Sequence, residues 1–396
     1  MSIETRGAEP ATHGAAAARA GGRELAVYSR LGIVIAEGDG ARVRTADGRE
    51  LLDFYGGHAA AALGYRHPRL LAALAAQADR LFFQTNLVDL EVRDRAAARL
   101  AAFAPAGLDR VFFVNTGAEA NENALRLAFR TTRRSRVVAL EGAFHGRTAA
   151  AGACTWRASG SWYAFPRPPF EVTFVPPDDE AALAAALGAD VAALIVEAVQ
   201  GVAGARPLAL PYLRAARELT RHHGALLIAD EVQCGMGRTG FPFACTEAGV
   251  TPDLLTLAKG VAGGFPAAAM LAPAALADPL PKGALGTTFG GGPMACALIL
   301  AVLDVLEADG FLDRVRAVGE LLRRRCLTGP VEAVQGRGLL LGLRTRRAAR
   351  EVLAELLARG ILAGGADDPH VVRLMPPLII GEPEVETLRA ALEDLR

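Results

Sequence analysis

The stretch ALLIADEVQCGMGRTGFPFACTEAGVTPDLLTLAK, residues 225–259, decides the fold. It begins and ends with near-continuous apolar runs, the pattern of strands buried on both faces of a parallel sheet. The first run stops at Asp230 and the last at Lys259, so each places its first ionisable residue at the carboxyl end of a strand. Lys259 is also one of only two lysines in a chain whose Lys and Arg together number 43. Arginine keeps its charge at any accessible pH, whereas a lysine of lowered pKa serves as a neutral amine nucleophile. The other lysine, Lys282 in PLPKGAL, reads as a survivor in a polar loop.

The same pattern recurs on the amino-terminal side. RVFFVN near Val111, RVVAL near Val137, VTFVP near Phe174 and VAALIVE ending at Glu197 are short runs followed by glycine or acid turns and Ala/Leu-rich helical patterns. Such alternation predicts an α/β fold, a mostly parallel sheet covered by helices on both faces. Parallel strands bring their carboxyl ends to one rim, where open α/β folds place their ligands. Glu197, Asp230 and Lys259 are therefore candidates for a single site.

After about Phe289 the pattern changes to a helix (MACALILAVLDVLEADG), a short strand (GRGLLLGL), another helix and a final strand (VVRLMPPLII). Near the start, IVIAEGDGARVRTADGRELLDF alternates between Gly and Asp turns and suits a small antiparallel element. The expected division is a flexible leader 1–24, a segment 25–55 joining the small domain, a large domain 56–286, and a carboxy-terminal small domain 287–396.

At 396 residues, 52% hydrophobic and 22% charged, the chain has the make-up of an ordinary soluble globular protein with a sizeable core. Forty-three acids balance forty-three bases, so no net field favours nucleic acid or an anionic membrane. No apolar stretch of about 18 residues appears, which argues against a membrane span. Cys154, Cys234, Cys245, Cys296 and Cys326 are scattered without a CxxC pair or metal-ligand spacings, as suits reduced thiols in a cytoplasm and no bound metal.

The chemistry-bearing pieces follow. In FFVNTGAEANENALRLAF a strand leads through Thr116 and Gly117 into a helix beginning near Glu119. Its amino terminus is either an ordinary capped start or a seat for a phosphate, which free N–H groups and the helix dipole favour. It is not a Walker loop, because GxxxxGK[ST] is absent. Asp230 either caps a following helix or pairs with a protonated pyridine nitrogen. Phe144, in EGAFHGRT, either packs in the core or stacks on a heteroaromatic ring. Taken together they supply what pyridoxal phosphate needs: a lysine, an acid at the ring nitrogen, an aromatic face and a phosphate cradle.

On these residues the chain resembles the class III aminotransferases of fold type I, most closely the acetylornithine and ornithine aminotransferase group. The likeness runs from about Tyr28 to the end and rests on NTGAEANENALRLA, FHGRT, DEVQCGMGRTG, LAKGVAGGFP, GTTFGGGPMACA and VVRLMPPL, in that order. It implies a mostly parallel sheet in a large cofactor-binding domain plus a smaller α+β domain, pyridoxal 5'-phosphate as cofactor, and a homodimer with shared active sites. Lys259 and Asp230 resemble the family's catalytic pair, the lysine forming a covalent C=N link to the cofactor and moving the proton. Thr116, Gly117 and Ala118 resemble the phosphate cup, Phe144 the stacking ring, Asp230 the pyridine partner and Gln233 a ligand of the phenolic oxygen. Glu231 and Val232, between the last two, are taken with the cofactor site, and Thr288 resembles a phosphate ligand given by the other subunit.

On the substrate side, Arg373 resembles the arginine that forks onto an α-carboxylate, and Arg147 the one that grips a second carboxylate or the far end. Thr287 and Tyr28 are expected to face substrate. Glu197 resembles a gate that pairs with Arg373 while the ω-amino substrate is bound and releases it for glutamate. The chain departs from the family with Ala198 and Val202 in EAVQGV, where EPVQGE is frequent, and with Gly292 where Asn is frequent.

The expected reaction moves the terminal amine of an acylated diamino acid, N2-acetylornithine foremost, to 2-oxoglutarate, giving a semialdehyde and glutamate. Alternatives within the family are a carrier-linked aminoadipate-semialdehyde step of lysine biosynthesis, which TW at Thr155 and GTTFGG also resemble, and an ornithine aminotransferase. From other classes, an aminomutase, a decarboxylase or a non-catalytic binding protein would carry the same fold.

Overall fold

The computed structural model describes residues 23–395, so the expected leader, apart from Arg23 and Glu24, lies outside the described residues. Seven strands form the large sheet: β1 (Arg110–Val114), β2 (Arg136–Leu140), β3 (Glu171–Val175), β4 (Val191–Val196), β5 (Leu226–Asp230), β6 (Leu254–Leu257) and β7 (Ala268–Ala272). Their spatial order is β1-β7-β6-β5-β4-β2-β3. All six strands expected from the apolar runs are present. The seventh, β7, runs antiparallel to both β6 and β1. Its sequence, AAMLA, has no β-branched or aromatic residue, so its strand character comes from being enclosed between two neighbours rather than from propensity.

Alternation within the strands builds two layers. Val137, Ala139, Ala193, Ile195 and Ile228 face one side, against Ala124, Leu125, Leu127 and Ala128 of helix α1 (Gly117–Thr132). Val138, Leu140, Leu194 and Leu227 face the other, in the cluster that includes Leu213 and Ala216 of helix α2 (Leu210–His223). This is the period-2 rule with both faces buried.

The two ends of the described chain meet. Ile35–Asp39, Arg42–Thr45 and Glu50–Asp53 form an antiparallel set, and Ile361–Leu362 adds in parallel, Ile361 opposite Leu52. A further antiparallel sheet joins Val331–Arg337, Leu340–Thr345 and Val371–Leu374. Where GRGLLLGL suggested one strand, the chain makes a hairpin with Arg337 opposite Leu340. No helix among the described residues is long and apolar enough to cross a membrane. The five cysteines are buried free thiols.

Strand register places the site. Ala229 of β5 lies opposite Val196 of β4, and Asp230 opposite Thr256 of β6. Glu197, Asp230 and Lys259 therefore leave three adjacent parallel strands on one rim.

Candidate active site

A cleft of about 460 Å³ opens on that rim. It is lined by Thr116, Gly117 and Ala118 from the start of α1, by Phe144–Arg147, by Glu197, Asp230, Val232 and Gln233, and by Lys259 with the segment 264–267. The alignment of strands thus brings together residues from five separate stretches of sequence.

The Thr116 hydroxyl accepts from Glu119 N (3.2 Å), and the Glu119 carboxylate accepts from Asn115 N (2.7 Å) and Thr116 N (3.0 Å), a reciprocal cap. The helix is capped in the ordinary way, and its first-turn Gly117 and Ala118 N–H groups, which have no acceptor within a helix, line the cleft. A side chain at Gly117 would strike Val232 Cγ1 at 2.7 Å, so glycine is what lets the turn sit against the β5 loop.

Asp230 is held from three sides. Its Oδ2 accepts from Asn121 Nδ2 (2.7 Å) and stands 2.7 Å from His145 Nδ1, while Oδ1 accepts from Val232 N (3.0 Å). Asn121 is fixed in turn: Thr256 Oγ1 donates to its Oδ1 (2.6 Å), and its Nδ2 also donates to His145 O (2.8 Å). Oδ1 of Asp230 keeps a lone pair for a further donor in the cleft.

Lys259 is half-buried and sits just past β6 with φ +48°, in the left-handed region that non-glycine residues rarely adopt. It makes neither hydrogen bond nor ion pair among the described residues. Burial lowers its pKa first and Arg373 adds to this, against the opposing pull of Asp230 and Glu197. The amine is thereby biased toward the neutral, nucleophilic form.

Glu197 lines the cleft and is held by backbone donors. Its Oε1 accepts from Phe144 N (2.9 Å) and its Oε2 from Gly201 N (3.1 Å), and no ion pair joins it to Arg373 among the described residues. Burial, reinforced by Asp230, raises its pKa to about 7 against the pull of His145 and the two backbone donors, while its charge, when present, still acts on Arg373. Arg373, 6% exposed, donates instead through Nε to Gly365 O (2.5 Å) and through Nη1 to Gly201 O (3.1 Å).

Arg147 lies over two rings, 5.3 Å from the Phe144 centroid and 5.4 Å from that of Trp162, a cation–π seat that fixes it on the cleft wall. Burial lowers the pKa of His58, and Arg373, Lys259 and Arg147 each push it the same way, so three cationic groups bear on this one ring. Gln233 lines the cleft with Nε2 toward His58 O (3.4 Å), and its Oε1 is buried without a partner.

The expected site residues Arg373, Glu231, Tyr28 and Thr288 fall outside the cleft lining, with Arg373 buried behind it. Glu231 is corrected: its carboxylate turns from the cleft and accepts from Ala244 N (2.9 Å) and Cys245 N (2.7 Å), capping the short helix Ala244–Glu247. Alternation explains this, since the residue after Asp230 points to the opposite face. Tyr28 is 74% exposed and outside the cleft lining of its own chain. Thr288 is exposed, while its neighbour Thr287 reaches the cleft edge through Asn115, whose Nδ2 lies 3.3 Å from Thr287 Oγ1.

His145 and Asn121 were missed. Their signal was present: His145 stands inside FHGRT, and Asn121 is a carboxamide on the apolar face of α1. One departure from the family pattern has a structural reading. Gly292 is the N-cap of Pro293–Leu306, where Gly in place of Asn costs only a few tenths of a kcal/mol. Thr155 braces the loop, accepting from His145 N (3.0 Å) and donating to Ala151 O (3.1 Å).

A family model described as aminotransferase class III matches residues 26–395. The chain belongs to the class III aminotransferases. It is 43% identical to the acetylornithine aminotransferase of Mycobacterium tuberculosis over 370 residues, 92% of each protein. It is 44% identical to that of Streptomyces coelicolor, over 92% of this chain and 91% of that protein. Among solved structures, the ornithine aminotransferase from Toxoplasma gondii ME49 superposes with a TM-score of 0.87 at 32% identity, covering 93% of this chain and 91% of that one. The acetylornithine aminotransferase from Elizabethkingia anophelis gives 0.83 at 30%, covering 93% and 96%.

Class III aminotransferases depend on pyridoxal phosphate, and the cleft fits that group. It has unpaired helix-start N–H groups for a phosphate, an anchored carboxylate with a free lone pair, an unpartnered lysine of lowered pKa, and an aromatic ring on the wall.

Proposed function

We propose that this class III aminotransferase takes the terminal amine of an acylated diamino acid, N2-acetylornithine foremost, and delivers it to 2-oxoglutarate. The observation that carries the reading is the gathering of Lys259, Asp230 and Arg147 on one cleft, with Arg373 buried behind its lining and near enough for its charge to bear on Lys259. The amine to be transferred would come to Lys259, and the carboxylates to the arginines, which meet them with bidentate geometry.

When bound, pyridoxal phosphate supplies the electron sink that makes a C–H proton beside the amine acidic. The protein's own groups do the rest. Lys259, held toward neutral, is the covalent anchor and then takes and returns that proton. Asp230, kept in place by Asn121 and His145, holds the positive charge on the ring nitrogen. Gly117 and Ala118 N–H groups, with Thr116, would take the phosphate, Phe144 would stack on the ring, and Val232 and Gln233 would complete the cofactor's seat. Arg147 receives the acyl or second carboxyl end and Arg373 the α-carboxylate of the acceptor. Glu197 is held by the Phe144 and Gly201 N–H groups and makes no ion pair with Arg373 among the described residues, which leaves Arg373 open to a carboxylate.

The same reading takes the working enzyme to be a cytoplasmic homodimer and the chain to divide into small (25–55, 287–396) and large (56–286) domains. Support for the dimer is an exposed apolar band, Leu81, Phe82, Phe83, Leu87, Val88 and Phe289, beside the Thr287–Thr288 turn. Asn86 Nδ2 donates to Thr287 O (3.0 Å) and Gly290 O (3.2 Å), so covering this band would present the turn to a second copy. Tyr28, exposed on its own chain, would gain its substrate contact by the same covering.

The test is a donor screen with glutamate formation as readout. Acetylornithine should bleach the visible band of the purified yellow protein and yield glutamate with 2-oxoglutarate, ahead of succinylated and free ornithine. An unchanged spectrum across ω-amino donors would refute the reading.

A further inference from the structure

Arg238 lies eight residues past Asp230, in the GMGRTG stretch, and is 2% exposed. Its guanidinium meets no carboxylate among the described residues, and desolvation is the one influence on its charge. A buried cation without a counter-ion is costly, so its retention asks what it holds. Nη1 donates to two backbone oxygens, Leu339 O at 3.3 Å and Pro376 O in a short contact, while Nη2 is buried without a partner. The backbone returns the link, Leu339 N donating to Arg238 O (2.9 Å). At Gly338, φ +53°, a side chain would meet the carbonyl carbon of Thr239 at 2.4 Å, so the two loops touch backbone to backbone.

Pro376 is three residues beyond Arg373. The segment between and after them is pinned on the opposite side as well, by Met375 N to Phe54 O (2.7 Å) and Leu378 N to Ala62 O (2.7 Å). Arg373 itself has little slack, because Nε and Nη1 are already committed to Gly365 O and Gly201 O. We infer that Arg238 is a positioning residue: it ties the strand end that carries Arg373 to the loop leaving Asp230, and so sets where the acceptor's carboxylate is held relative to Lys259 and Asp230. This rests on the reading above that Arg373 receives a carboxylate.

The experiment uses cofactor-loaded enzyme carrying Arg238→Gln, Arg238→Lys, Arg373→Ala, or Arg238→Gln with Arg373→Ala. Calorimetric Kd for glutarate, an inert dicarboxylate, is read beside kcat and KM for 2-oxoglutarate and the visible spectrum. Arg238→Gln should raise Kd and KM roughly tenfold, the scale of one lost charge-assisted hydrogen bond, with kcat within about twofold and the spectrum unchanged. Arg238→Lys, which keeps the charge and one donor, should recover part of that loss. In the Arg373→Ala background, Arg238→Gln should add less than about twofold, because the two changes act through one contact. A full additional effect in that background, or an unchanged Kd in Arg238→Gln, overturns the inference. If Arg238→Gln does not fold, Arg238→Lys alone and with Arg373→Ala is read by the same criteria. An Arg373→Ala enzyme with unchanged Kd would instead sink the carboxylate role of Arg373.

Discussion

Asn121→Ala tests the support beneath Asp230. The amide makes three bonds: it donates to Asp230 Oδ2 (2.7 Å) and His145 O (2.8 Å) and accepts from Thr256 Oγ1 (2.6 Å). Two are neutral, about 1 kcal/mol each, and the one to the carboxylate is about 2 kcal/mol, so roughly 4 kcal/mol is at stake. Asn121 is 1% exposed and Thr256 fully buried, so water does not replace the lost partners without opening the core. Equilibrium urea unfolding should show a loss near that size at unchanged m-value. The decisive comparison is a cycle with Thr256→Val: in that background Asn121→Ala should cost about 1 kcal/mol less, because one shared bond is already gone. The variant should also release its cofactor more readily, since Asp230 loses a donor that keeps it aimed. A total loss under about 1 kcal/mol, or strict additivity with Thr256→Val, would refute the network.

Other consequences follow from the same geometry. Lys259→Arg keeps the charge but removes the neutral amine, so the protein should fold, form no borohydride-reducible link to added cofactor, and lose on the order of 10²–10⁴-fold in glutamate formation; near-normal turnover would contradict the role of Lys259. Arg373→Lys loses the planar fork, and kcat/KM for 2-oxoglutarate should fall about 10²-fold while that for the amine donor changes much less. For Glu197, burial lifts the pKa from an ordinary 4.5 to about 7, so the unfolded chain ionises first as pH rises. Its contribution to stability is therefore full below about pH 4.5 and lost as pH rises through about 7. The stability of wild type relative to Glu197→Gln should accordingly decline between pH 4.5 and 7, by roughly 3 kcal/mol at most, and parallel profiles would rule this out.

Local pattern was a good guide where backbone and burial act together. Six strands of the large sheet announce themselves as apolar runs because both of their faces are covered, and Asp230 and Lys259 stand out because they end such runs. β7 does not, since AAMLA has no intrinsic strand preference and becomes a strand by filling the space between β6 and β1. Glu231 was misplaced because adjacency in sequence was taken for adjacency in space, and strand alternation sends it to the other face.

The sequence by itself determined the class of architecture, the rim on which Glu197, Asp230 and Lys259 gather, and the family. These depend on short-range periodicity and on residue types that only particular chemistry requires. Tertiary structure alone decided how those residues are held. Asn121 reaches Asp230 across 109 residues, Arg238 reaches Pro376 across 138, and Glu197 rests on Phe144 and Gly201 rather than on Arg373. Hydrogen-bond partners and pKa shifts of this kind depend on distances of a few ångströms between segments remote in the chain, and those distances exist only once the sheet has closed and water has left it.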